Sequence, residues 1–313
     1  MDRARHREAV LTRDERAPSF GYRFAAMAST HELQIAGTDR RAADRAAALA
    51  IAEVKRIEAK YSRYRDDSVT TAINRAAGVT PVAIDDETAA LLRYADRCHA
   101  VSGGLFDITS GVLRRAWDFK RIPPRLPSAD EVAAALALIG WTRVEWSGER
   151  VWLPNAGMEL DFGGIGKEYA ADRAAAILRD AGIAHALVNL GGDVRAIGSR
   201  GDGTPWRIAI RDPRDGEAVV GTMLVDDEAI ATSGDYERYV EVDGRRYCHI
   251  VDPRSGMPVG HWQSASVVAP LTILAGSYAT IAMLAGDRAP DFLDTQRLRY
   301  LLIDSNGRLI ANG

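Results

Sequence analysis

The residues best suited to chemistry lie in three glycine-bounded stretches. In LDFGGIGKEYAADRAAAIL, Gly163, Gly164 and Gly166 stand between an apolar strand end and a helix. Backbone N–H groups and a helix N-terminus can then approach a phosphate with no Cβ in the way. Asp161 and Lys167 flank the turn, so a pyrophosphate cradle is one reading and a plain strand-to-helix turn is the other. It is not a Walker A loop, because Asp161 takes the first glycine position and Glu168 the Ser/Thr position. Nor is it GxGxxG, because Tyr169 replaces the last glycine.

VNLGGDVRAIG is the second stretch, and Gly191-Gly192-Asp193 reads equally well as a hairpin turn. The third, ATSGDYERYVEVDGRRYCHIVDPRSGMPV, gathers Thr232, Ser233, Asp235, His249, Asp252 and Arg254, more polar residues than two exposed hairpins need. His249 falls in the apolar run Tyr-Cys-His-Ile-Val, where it is either a hydrogen-bonded core residue or a general base. Tyr64, Phe106 and Trp117 stand in or near glycine-bounded loops and can stack on a planar ligand or pack, with packing favoured for Trp117.

The elements that must position these groups follow from periodicity. One strand is expected over 22–36, then helices over about 40–60 and 86–101, the second stopping at Ser102-Gly103-Gly104. Ser128 and Glu131 form a capping box before VAAALALIG, with Gly140 as its stop. Short strands then alternate with turns, interrupted or followed by helices from about Lys167 and over TILAGSYATIAMLAG. Strands and helices do not alternate as a doubly wound sheet requires, so the class is α+β, a compact mixed sheet core with flanking helices.

Composition narrows the function. The 313 residues are 47% hydrophobic and 27% charged with a net charge of -3, an ordinary globular balance with no nucleic-acid footprint. Cys98 and Cys248 are too few for a disulfide framework or zinc site, and no apolar run is long enough to cross a membrane. Residues 1–19 read as a charged tail and 20–313 as the functional domain. The N-terminus has neither an apolar signal region nor a lipobox, which predicts a cytoplasmic protein as written. A misassigned or trimmed start would allow a periplasmic one.

In order, SRYRDDS, SGGLFDITSG with Trp117, LDFGGIGKEYAADR, ALVNLGGDVRAIG, TSGDYERY, YCHIVDPRSGMPV and AGSYATIAML resemble the FAD:protein FMN transferases, the ApbE-like family. The resemblance spans roughly 24–313. It implies a fold with an FAD cleft between two halves, FAD as substrate, Mg²⁺ assistance, and transfer of FMN to a Thr or Ser of a partner flavoprotein. FAD hydrolysis to FMN and AMP, or flavin binding without catalysis, are the rival readings.

The same resemblance assigns Met27, Tyr64, Leu105, Phe106, Asp107, Asp161, Lys167 and Val251 to the FAD site and His249 to the base. Gly164, through its carbonyl, and Thr280 would hold Mg²⁺. Three departures stand out: Met-Ala-Ser at Met27 where Met-Gly-Thr is usual, Glu168 where Gly is usual, and Gly276 where an Asp one turn before Thr280 is usual. The last leaves the metal without its carboxylate, with Asp107 and Asp252 as candidate replacements. An Asp restored at 276 is expected to raise both metal affinity and helix stability.

Overall fold

The computed structural model describes residues 19–312, so the tail expected over 1–19 lies almost wholly outside the described residues. Eight strands form the main sheet: β1 (Ser19–Ala26), β2 (Ser29–Ala36), β3 (His185–Leu190), β4 (Asp193–Ile197), β5 (Ala229–Gly234), β6 (Trp262–Ala269), β7 (Arg299–Asp304) and β8 (Leu309–Ala311). Their spatial order is their chain order, and every ladder is antiparallel. The sheet is thus one meander into which helices and smaller hairpins are inserted, which is the α+β class. No helix among the described residues is long and apolar enough to cross a membrane.

The single strand expected over 22–36 is a hairpin instead. Met27 and Ala28 make its turn at φ 48° and 60°, a left-handed conformation uncommon away from glycine, so the sequence carries no turn signal there.

Among the described residues there are seven α-helices: α1 (Arg40–Tyr61), α2 (Val69–Arg75), α3 (Asp86–Val101), α4 (Ala129–Leu136), α5 (Gly166–Asp180), α6 (Thr272–Ala285) and α7 (Ala289–Thr295). Asp39, Ser68, Asp85 and Ser128 cap the first four, and Ser128 with Glu131 forms the expected box. Helix α4 ends at Leu136, before Gly140, because residues 137–139 tighten into turns.

Between the sheet and α1 lies the principal core. Ala43, Ala46, Ala47 and Ala50 of α1, and Ala170, Ala171, Ala174 and Ala175 of α5, are buried. Small side chains on both let the two helices lie close, and the fully buried Leu33 and Ile35 of β2 pack in the same cluster, each contributing about 1.5–3 kcal/mol. Helix α6 is apolar nearly all round because it is covered by α5, α7, β5 and β6. This packing brings the start of α5 against the middle of α6.

Candidate functional site

Helix α5 begins differently from the four before it. Asp161 accepts from the Gly163 N–H at 2.9 Å and from the Arg63 guanidinium, which fixes the turn 161–166. Its Cβ leaves no room for a side chain at Gly111. At the helix start itself Ile165 offers no capping side chain. The start of α5 thus lacks an N-cap side-chain acceptor, the feature that lets a helix start take an anion. Helix α6 shows the contrast: its Thr272 and Ile273 N–H groups donate to the Asp172 carboxylate at 2.8 and 2.9 Å.

Lys167 links this turn to the second glycine turn. Its Nζ lies 2.7 Å from Asp193 Oδ2, and its stem passes over Gly191, where a Cβ would sit 3.8 Å from it. Gly191 and Gly192 adopt φ 65° and 100° between β3 and β4, so the hairpin reading holds and the same turn also borders the site. Ser29 of the β1–β2 hairpin reaches Gly191 too, and Met27 N–H donates to Glu58 Oε1 at 2.5 Å. Burial works against the Lys167 charge, but Asp193 and Glu168 outweigh it and raise its pKa.

His249 is one residue beyond the strand Arg245–Cys248, not within it. Cys248 and Ile250 on either side are buried, while the His249 ring is solvent-accessible yet surrounded by protein. Its Nδ1 faces the Arg238 carbonyl at 3.3 Å. A carbonyl only accepts, so Nδ1 carries the proton and Nε2 keeps a lone pair. Enclosure by protein, with the Arg238 and Lys167 charges, pushes the pKa down to about 4.

Tyr64 is 70% exposed, its hydroxyl accepting from Arg63 at 2.8 Å, with Lys120 over its ring. Partial burial pushes that hydroxyl up, but Arg63, Lys120 and Arg238 outweigh it and hold it below its ordinary value. Arg238 thereby relates Tyr64 to His249. Phe106 is buried beneath Gly164, where a Cβ would meet its ring at 3.5 Å. Leu105 packs in one cluster with Cys248 and Ile250, and Val251 bridges to Pro258 beside Trp117 and Tyr247. Trp117 is core, as expected: 2% exposed, donating from Nε1 to the Gly256 carbonyl at 2.7 Å and stacked on Tyr247.

The two acidic residues expected to replace the missing metal carboxylate are occupied elsewhere. Asp107 accepts from Thr109 N–H and Oγ1 at 2.7 and 2.6 Å and from Trp141 N–H at 3.0 Å. Asp252 pairs with Arg254 at 2.8 Å. The extra polar residues of the third stretch are similarly paired, Asp235 with Arg214 in a two-point contact and Thr232 with Ser266. Thr280 Oγ1 is 3.0 Å from Ser233 Oγ on the inner face of α6.

Sequence reasoning passed over Arg238, Asp193 as the partner of Lys167, and Glu168. Glu168 is 8% exposed and its Oε2 has no hydrogen-bond partner. Burial, then Asp193 beside it, raise its pKa, while Lys167 works the other way. Its departure from the motif was the available signal. Among the described residues no group of three or more His, Cys, Asp and Glu forms a metal cluster. Fit to a cation therefore rests on mixed oxygens and on that unpartnered Glu168 oxygen, a donor set that suits a hard ion.

Two glycine turns bridged by a lysine, a helix start without a side-chain cap and a histidine with its Nε2 lone pair are gathered in one α+β protein, groups of the kind that bind phosphate. The chain belongs to the ApbE family, whose model matches residues 27–302. An FAD:protein FMN transferase of Klebsiella pneumoniae is 30% identical over 290 residues, 90% of this chain and 83% of that protein. That of Escherichia coli K12 is 32% identical over 257 residues, 79% and 73% of the two chains. The ApbE protein of Thermotoga maritima superposes with a TM-score of 0.85 at 31% identity, covering 94% of this chain and 97% of its own. The flavinyl transferase ApbE of Pseudomonas stutzeri gives 0.83 at 29% identity, covering 95% and 94%.

Proposed function

We propose that this protein is an FAD:protein FMN transferase, which splits the FAD pyrophosphate and joins FMN through a phosphodiester to a Thr or Ser hydroxyl of a partner flavoprotein. One observation carries the reading. Lys167 binds the two glycine turns together beside an uncapped helix start, and its charge reaches His249, whose Nε2 is free to take a proton.

In this reading the pyrophosphate lies along 161–167, receiving hydrogen bonds from the first N–H groups of α5 and charge from Lys167. Tyr64, the one exposed aromatic of the three, offers a face for a planar ring, and Met27, Leu105, Phe106, Asp107, Asp161 and Val251 shape the remaining walls. Asp107 and Asp161 act through the turns they hold rather than by touching the ligand. His249 Nε2 accepts the acceptor hydroxyl's proton as its oxygen bonds to the FMN phosphorus. The bridging P–O bond breaks and AMP leaves with that electron pair. The neutral imidazole fixed by Arg238 needs no prior deprotonation above pH 5 or so.

Mg²⁺ held by the Gly164 carbonyl, the Thr280 hydroxyl and substrate phosphates would supply charge neutralisation of the pyrophosphate. The test is product analysis of FAD turnover with and without a Thr-bearing acceptor. Transfer releases AMP without free FMN and needs the acceptor. Equal FMN and AMP in its absence would mean hydrolysis.

A further inference from the structure

The strongest anomaly in the cleft is the side chain that stands where Gly276 has none. A Cβ built on Gly276 would lie 2.5 Å from Glu168 Cγ, 3.0 Å from Oε1 and 3.1 Å from Cδ. Glu168 therefore fills the space in front of α6 at the level of residue 276. Thr280, one turn further along, shares that face. Glu168 is itself on the first turn of α5, four residues after Gly164. So the carboxylate reaches from the turn that carries Gly164 to the helix that carries Thr280.

Its surroundings leave one of its oxygens, Oε2, without a hydrogen-bond partner. Glu168 is nine-tenths buried; its other contacts are its own backbone N–H and the Asp193 side chain, whose charge repels it, while Lys167 is already paired to Asp193 at 2.7 Å. A buried carboxylate oxygen without a donor is costly unless a cation or proton completes it. Set against the motifs the chain resembles, Glu168 takes a glycine position and Gly276 an aspartate position, a reciprocal exchange.

We propose that Glu168 supplies the carboxylate of a divalent-cation site with Thr280 and the Gly164 carbonyl, so that the acid has moved from α6 to the first turn of α5 while the site has kept its place. The inference rests on the transferase reading for the use of the cation. Carboxylate, hydroxyl and carbonyl oxygens, completed by water or phosphate, are the donors that Mg²⁺ and Mn²⁺ prefer. Asp107 and Asp252 are instead engaged by Trp141 and Thr109 and by Arg254, whereas Glu168 Oε2 has no partner.

The test uses Mn²⁺ alone on the full chain, titrated by loss of the free-ion EPR signal, with thermal melting in metal-free buffer alongside. Glu168→Gln keeps the shape and removes the charge, and Mn²⁺ affinity should fall by at least about ten-fold, since even outer-shell partners of a metal are worth that much. Its metal-free melting temperature should equal or exceed that of the parent, because an unpaired buried charge is gone, whereas a purely structural carboxylate would lower it. The exchanged pair Glu168→Gly with Gly276→Asp should recover most of the affinity. Mn²⁺ binding unchanged in Glu168→Gln, or no binding by the parent at millimolar Mn²⁺, overturns the proposal. Absence of FMN transfer by the parent would instead count against the transferase reading and leave the EPR result standing.

Discussion

Gly276 and Glu168 share a space that holds only one side chain: a Cβ on Gly276 would stand 2.5 Å from the Glu168 Cγ. Both residues are buried between α5 and α6, so neither backbone has room to retreat. The sequence alone favours Gly276→Asp, since an interior glycine costs a helix up to about 1 kcal/mol. Packing reverses that sign. Gly276→Asp alone should lower stability by roughly 1–3 kcal/mol, the usual cost of overpacking, seen as a lower melting temperature. A variant at least as stable as the parent would show that Glu168 swings away freely.

His249→Ala should abolish FMN transfer and leave FAD affinity within a few-fold, because the base acts on the acceptor's proton and not on the bound flavin. Transfer assays paired with calorimetric FAD titration decide it. Full activity in the variant removes His249 from the mechanism.

The low pKa of His249 gives a pH signature. Its native value of about 4 lies below its ordinary 6.5, so between these the unfolded chain binds a proton that the native state does not. This residue's contribution to stability is complete above pH 6.5 and is lost as pH falls toward 4. Transfer should likewise persist well below pH 6.5. Between pH 6.5 and 4 the parent should lose stability relative to His249→Gln as pH falls, so the gap between their melting curves should change across this range. A parallel pair of curves contradicts it.

Lys167→Met removes the cation paired with Asp193, whose side chain is 5% exposed. Breaking a buried ion pair costs roughly 3–5 kcal/mol, and since Lys167 is 31% exposed the low end applies. Asp193→Asn in the same background should restore part of the loss, which chemical denaturation would measure. No restoration would mean the two residues are not energetically coupled.

FAD should bind more tightly than FMN, because the turn 161–167 and Lys167 have a pyrophosphate to engage only in FAD. Calorimetry on the parent measures both. Equal affinities count against a phosphate cradle in this turn.

Much of this was legible in the sequence. The helices 40–61 and 86–101 follow from alanine and leucine spacing and capped starts, and the order of the motifs identified the family. What was hidden depended on contacts distant in sequence. The β1–β2 turn is made by Met27 and Ala28, which carry no turn preference. The carboxylate beside α6 comes from a residue more than 100 positions earlier, so no spacing argument along α6 could find it. The hydrogen bonds of Asp107 to Trp141 and of Asp252 to Arg254 are likewise contacts that sequence spacing does not display.

Intact-mass spectrometry of an acceptor flavoprotein, after incubation with this protein, FAD and Mg²⁺, tests the central claim most directly. The account predicts a gain of one FMN less water on the acceptor, mapped to a Thr or Ser, with one AMP released per adduct and none formed by His249→Ala. An acceptor of unchanged mass while FAD is consumed to FMN and AMP would contradict it.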